Sequence, residues 1–557
     1  ESIGGVLRAL KRLGISTDGD TPNQALGQAP ATKPQAKAKS PALALAATAA
    51  IALLALIFIL KPSGDPPAAK PSAPAKEPAT ATEQETMPLD KNRIVLLPFK
   101  NIGTPGENDH IVEGIVDDLN TMLTNVDGLR VIGSASAKTY RDSDKTPAEI
   151  GLELSAGTLL QGSIQKTGSD LKINVRLIDT TTSENIWANS FSGSENDRSK
   201  FQQEIIQSIV NKTKGTILNQ TELGSLYAGD TENSEAYSLV KRGRELLRGH
   251  SRNDTKRAEE LFKKAIELDP NYADAYSGLA YAELQSPGVS LKEPKESIPS
   301  AKRYLEKALE INPNHVRSRI LKIRITLRVD WNTENIPNDI DSLISQHRNN
   351  PFVLGELGSS YTYSNQYEKS ITILKQGLAL DPKNSMIHAH LAFAYLLAGD
   401  LERSEFHNTE AVKLTSNYQF ALHIRSLLLT DQNRFAEIEK QLKESIENDD
   451  KNPVTIMSLG IVYWRKGMQA ESYKLLAELL DRRNFEYIKG GIISRLYAAM
   501  GEKEKALKWL IKSREEKDTD FFHMYYWPLF DEARNDPEFV KIYKDAGLYD
   551  YLTQKMD

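Results

Sequence analysis

The chain reads as a multi-domain protein: a single transmembrane helix, a small α/β domain, and then an all-α solenoid of helical repeats. Three observations predict this. Residues 42–60 form an uncharged apolar run. Strand-like and helix-like stretches alternate over residues 92–224. From about residue 233 to residue 557, paired helical patterns recur with a period near 34 residues, the spacing of a helix-turn-helix repeat.

The apolar run, ALALAATAAIALLALIFIL, holds nineteen residues, and Thr48 is its only polar interruption. A helix of that length spans about 28 Å, close to the hydrocarbon thickness of a bilayer. It closes its own backbone hydrogen bonds, as a spanning segment must, and it lacks the polar stripe of a soluble amphipathic helix. Residues 1–41 are expected to be a short, mostly disordered tail, rich in Ala, Pro, Gln and Lys after Ser16. Lys33, Lys37 and Lys39 before the run balance Lys61, Lys70 and Lys76 after it. Arg8, Lys11 and Arg12 then tip the bias towards a cytoplasmic amino-terminal side. Residues 61–91 form a Pro/Ala linker, a semi-rigid spacer off the membrane.

The α/β domain opens at Ile94-Val95-Leu96-Leu97-Pro98-Phe99, a continuously apolar run of the kind buried on both faces. Ile111, Ile115, Leu119 and Leu123 then recur at helical spacing. A second strand is predicted at Leu129–Ile132, and a helix at Thr146–Ser155 with Pro147 in its first turn. Three strands follow, at 158–166, 172–179 and 185–191, the first two joined by Thr167-Gly168-Ser169-Asp170. A helix over 196–218 closes the unit. These blocks, IVLLPF, EGIVDDLNTMLT, LRVIGSASAKTY and LLQGSIQKTGSDLKINVRLIDTTTSENIWANSF, resemble the TolB amino-terminal-like (FlgO-like) domain. That resemblance implies a bacterial membrane-anchored signalling protein, related to cyclase- or ToxR-linked proteins. In that setting the bulk of a single-pass inner-membrane chain is expected in the periplasm.

In the solenoid, Leu357, Gly358 and Tyr361 sit where a first helix needs a leucine, a small residue and an aromatic, and Leu374 and Pro382 follow in the second helix and turn. Leu391, Ala392, Tyr395 and Ala411 repeat the pattern one period later. Ala258, Phe262, Ala265 and Pro270 mark an earlier second helix, and Ala301, Leu305, Ala308 and Pro313 another, after an insertion around Ser286–Lys295. Leu459, Gly460 and Tyr463 open a later repeat. These landmarks are those of tetratricopeptide repeats. A stack of repeats needs a terminal cap, and Phe521, Tyr525, Trp527 and Phe530 are placed to cover its last apolar interface.

Composition and motifs argue against several chemistries. The net charge of −5 gives no basic stripe for nucleic acid. Cysteine is absent, which removes disulfides, thiolate metal sites and thiol nucleophiles. No phosphate loop, HExxH or GxSxG occurs. His388 and His390 diverge on a helix and read as repeat surface, and Asp117 and Asp118 read as a solvated face or a loop cap. The chain is therefore expected to be no enzyme, with no catalytic residue, cofactor or metal. Its expected partners are a protein or peptide ligand and, through one helix, the lipid bilayer. Counting from the small residues, the solenoid's inner face is lined by Ser359, Thr362 and Tyr363, by Phe393 and Leu396, by His423 and Leu427, and by Ile461, Trp464 and Arg465. Exposed aromatic and apolar side chains in such a row suggest a groove for a peptide. The function expected is that of a membrane-anchored scaffold or sensor. The alternative is the periplasmic sensory portion of a transmembrane regulator or nucleotide cyclase whose cytoplasmic output domain lies upstream of residue 1.

Overall fold

The computed structural model describes residues 89–553 apart from 104–107, 220, 221, 223, 225, 227–229, 248–250, 335, 449 and 450. The expected tail, transmembrane helix (42–60) and linker lie outside the described residues, Leu89 to Lys91 excepted. Among the described residues no helix is long and apolar enough to cross a membrane.

The α/β region carries β1 (Arg93–Leu96), β2 (Lys100–Asn101), α1 (Asp109–Thr124), β3 (Arg130–Val131), α2 (Ser134–Lys138), α3 (Pro147–Leu154), β4 (Thr158–Thr167), β5 (Asp170–Asp179), β6 (Asn185–Ser194) and α4 (Arg198–Lys214). The sheet order is β3-β1-β4-β5-β6, with β2 also on β4; β1 runs parallel to β3 and β4, and β4, β5 and β6 are antiparallel. The continuous apolar character of β1 follows from burial on both faces. Ile94 and Leu96 join the core under α1 and α4, while Val95 and Leu97 join Ile150 and Leu154 of α3. Thr146 and Glu149 cap α3 reciprocally, satisfying backbone donors at its start. Two elements carried no signal in the sequence: β2, with two residues, and α2, with five, are too short to show a period.

Helical pairs follow: α5 (Ser234–Leu247) with α6 (Arg252–Leu268), α7 (Ala273–Gln285) with α8 (Pro294–Ile311), α9 (Val316–Arg328) with α10 (Ile336–Gln346), and α11 (Pro351–Tyr363) with α12 (Tyr367–Leu380). Then come α13 (Ser385–Leu397) with α14 (Leu401–Leu414), α15 (Gln419–Asp431) with α16 (Phe435–Asn448), α17 (Pro453–Arg465) with α18 (Gln469–Arg482), and α19 (Gly490–Ala499) with α20 (Lys503–Glu515). The chain goes on through α21 (Phe521–Met524), a 3₁₀ turn at Pro528–Ala533, α22 (Pro537–Asp545) and α23 (Tyr549–Thr553). The small residues act as expected: a Cβ on Gly358 would stand 3.0 Å from Leu374. A second device recurs beside them. Ser370, Ser404 and Ser472, each twelve residues after the small position, donate through Oγ to the carbonyls of Gly358, Ala392 and Gly460 at 2.7–2.8 Å. All three hydroxyls are buried, so each ties the second helix to the first inside the core.

The α/β region and the array form one compact unit. Tyr237 of α5 enters the α/β core, with the Arg198 guanidinium 3.6 Å from its ring. Its hydroxyl donates to Asp118 at 2.6 Å, and Lys241 donates to the same carboxylate at 2.5 Å. Asp118 is therefore a half-buried bridge between the two parts and not a solvated face. A second contact forms at the turn after α12. Asp381 accepts from the Ser136 amide at 2.7 Å and from its hydroxyl, and Arg93 donates to the Ala379 carbonyl at 2.7 Å.

Candidate functional site

The first helices of successive pairs, α11, α13, α15, α17 and α19, pack on one another and form the inner wall of the solenoid. Tyr363, Phe393 and His423 project from this wall, as the spacing predicted. They are not open to solvent. The carboxy-terminal stretch Asp518–Phe530 lies against them: the Tyr363 ring is 4.9 Å from His523, Phe393 is 5.0 Å from Trp527, and His423 is 4.7 Å from Trp527. Trp331, which follows α9, meets Phe521 at 5.1 Å, and Tyr367 meets Tyr526 edge-on at 6.3 Å. The aromatic cluster read as a terminal cap thus covers the last pair and continues along the inner wall.

The sequence expectation of exposed groove positions is corrected accordingly. Ser359, Thr362, Tyr363, Phe393, His423, Leu427 and Ile461 are buried, Leu396 and Trp464 half-buried, and Arg465 exposed. Thr362 faces the second helix of its own pair, its hydroxyl 2.6 Å from Ser370 Oγ. Trp464 packs edge-on against Tyr473 at 5.8 Å. Helical spacing reports the side on which a residue lies, but it carries no information about a segment arriving from well over a hundred residues away.

Charges hold this segment in place. Asp520 pairs with Lys489 at 2.8 Å, Arg495 at 3.0 Å and Arg328 at 3.7 Å. Although burial works the other way, these cations hold its carboxyl well below the usual range. Asp518 accepts from the Gly491 amide and from Ser513 Oγ, both at 3.0 Å, while burial pushes its own carboxyl up. Arg495 also lies 5.2 Å over the Trp527 ring. Burial, followed by nearby cations, lowers His423 and His523 well below the ordinary histidine range, so both are neutral. His423 Nε2, His523 Nδ1 and Trp527 Nε1 are buried without a hydrogen-bond partner among the described residues.

His388 is buried, not surface, with Nδ1 3.0 Å from Nδ1 of His407. Among the described residues no group of three or more His, Asp or Glu side chains is arranged to hold a metal.

The tetratricopeptide-repeat family matches residues 250–272 and 353–384. The helical pairs therefore constitute a tetratricopeptide solenoid, preceded by a small α/β region. Among curated proteins the chain is similar to "Putative adenylate cyclase 3" of Rhizobium meliloti, 28% identical over 35% of this chain and 33% of that protein. It is also similar to interferon-induced protein with tetratricopeptide repeats 2 of Cricetulus griseus, 23% identical over 43% of this chain and 49% of that protein. The chain thus spans about a third of the first relative and about half of the second. Among solved structures, yeast Tom70 is 14% identical with a TM-score of 0.35, covering 63% of this chain and 82% of its own.

Proposed function

We propose that the protein is a non-enzymatic interaction protein that binds a protein or peptide partner on the inner wall of its repeats, at Tyr363, Phe393 and His423, the wall residues that meet the carboxy-terminal segment. One observation carries the reading: that wall already holds a peptide segment of the chain itself, Asp518–Phe530, by aromatic contacts and an acidic anchor. A partner of similar chemistry, aromatic side chains beside an aspartate, takes the place of this segment. We further propose that residues 92–224 are a TolB amino-terminal-like domain and that residues 42–60 anchor the chain in a bacterial inner membrane, with the bulk in the periplasm. The apolar run, the basic tail and the quoted sequence blocks support that part.

The test uses a labelled synthetic peptide of residues 517–531, added to the full chain and to its Trp527→Ala variant. Binding to the variant that is much tighter than to the parent is expected, because the internal competitor is weakened. Absence of binding to either protein refutes the groove. A second reading, a sensory portion of a transmembrane cyclase or regulator, draws support from the name of the rhizobial relative. An open reading frame upstream of the Glu1 codon that encodes a cyclase or DNA-binding domain would establish it, and a start codon there would exclude it.

A further inference from the structure

A cavity of 230 Å³ lies beside the aromatic wall, between α7, α9, α15, α17 and the turn before α19. Its polar lining comprises Arg324 and Arg328 of α9, Tyr281 and Gln285 of α7, Lys489, Gln419, Asn452 and Thr519. Among the described residues, no carboxylate lines it, although the whole chain is acidic. Arg324 and Arg328 are four apart on one helix and so share a face. The carboxylates that answer these cations are not part of the lining. Arg324 meets Glu356 at 3.0 Å, and Arg328, Lys489 and Arg495 share Asp520, with Asp518 3.8 Å from Lys489. The lining cations Arg328 and Lys489 thus share Asp520 with Arg495, which is not part of the lining, and burial favours the protonated form of Asp518.

The surrounding groups answer the same field. His390 is lowered to about 3, first by burial and then by Arg324 and Arg328, and His523 is lowered by burial and Arg328. The rest of the lining includes Val289, Val329 and Val454, an apolar surface for a carbon skeleton. Gly288 and Val289 belong to the loop between α7 and α8, which is the insertion that interrupts the repeat period. The same loop is fixed to the repeats by Lys292, which pairs with Glu259 at 2.8 Å and with Glu283 at 2.9 Å.

We propose that this cavity binds a small organic anion whose carboxylate or phosphate group is held by Arg324, Arg328 and Lys489 and whose carbon skeleton lies on Val289 and Val454. Two oxygens of such a group match the planar donor fork of an arginine, and the amides of Gln419 and Asn452 supply neutral partners for hydroxyl groups. Thr519 is part of the wall, so a bound anion also rests against the carboxy-terminal segment and holds it in place.

Calorimetric titration of the full chain with citrate and, separately, with glycerol 3-phosphate tests this, at constant ionic strength and with glycerol as the uncharged control. Saturable binding of at least one probe with a Kd below about 1 mM is expected, with no response to glycerol. Response to citrate alone assigns a carboxylate, and response to glycerol 3-phosphate alone assigns a phosphate. Gln419→Glu adds a carboxylate to the wall at the first turn of α15, where a negative charge suits the helix, and should weaken binding at least tenfold without loss of fold. Arg324→Gln should do the same. Bound probe should also slow amide exchange over residues 519–521. Failure of both probes to bind at about 10 mM, or equal binding by parent and both variants, overturns the proposal.

Discussion

Trp527→Ala removes the side chain on which the inner wall closes. The indole is 1% exposed and touches Phe393 at 5.0 Å, His423 at 4.7 Å and Arg495 at 5.2 Å. Truncating a buried tryptophan to alanine costs about 3–5 kcal/mol through lost transfer energy and the cavity left behind. The indole N–H has no partner among the described residues, and removing an unsatisfied buried donor returns about 1 kcal/mol. The expected loss is therefore about 3 kcal/mol, near the low end. In a repeat array stability is a sum of neighbour terms, so the loss should be local. Urea unfolding followed by circular dichroism should show an earlier transition for the carboxy-terminal pairs. Amide exchange should rise over residues 519–527 and around Tyr363 and Phe393, and stay unchanged in β4 and β5. A loss below about 1 kcal/mol with unchanged exchange at Tyr363 and Phe393 refutes the idea that Trp527 closes the wall.

Ser370→Ala removes a buried donor to the Gly358 carbonyl and should cost about 1 kcal/mol, read by urea midpoint; no change would mean the carbonyl is satisfied without it. Asp381→Ala deprives the Ser136 amide and hydroxyl of their buried acceptor. It should loosen the α/β region from the array, seen as faster proteolysis at the α12–α13 turn with the α/β core intact, whereas unchanged cleavage would show that the Tyr237 contact suffices. The two wall histidines give a pH prediction. Their folded pKa values lie below the unfolded 6.5, so the unfolded state binds more protons, and stability present above 6.5 falls as pH drops, by up to about 1.4 kcal/mol per unit for each. Asp230, Asp381 and Asp518, whose carboxyls burial pushes up, act in the opposite sense. Urea midpoints between pH 7.5 and 5.5 should therefore fall less steeply in His423→Gln than in the parent, and equal slopes would contradict a neutral buried His423.

The fold was legible where residues obey a local period. Gly358, Tyr361, Ala392 and Gly460 announced the pairs, because helix–helix approach demands a small residue at each crossing. The strand at Ile94 was legible because burial on both faces leaves no polar alternation. The inner-wall residues were legible by direction but not by environment. Phe521 to Trp527 carries aromatic mass and an adjacent Asp520, yet nothing local in those residues states that their partners are Tyr363, Phe393 and Arg328. The same holds for Asp118, whose partners lie 119 and 123 residues away. The cavity left one trace, the insertion at Ser286–Lys295, which breaks the period and places Gly288 and Val289 in the lining.

The central claim is that the inner wall is a peptide site filled by the chain's own segment. Deuterium exchange of the Trp527→Ala chain with excess peptide 517–531 tests it most directly, since mass separates the added peptide from the chain. The account predicts that the chain's own amides at 519–526 exchange faster as peptide is added, while those around Tyr363 and Phe393 regain protection. Peptide that leaves both regions unchanged, or that protects only residues outside the inner wall, would contradict it.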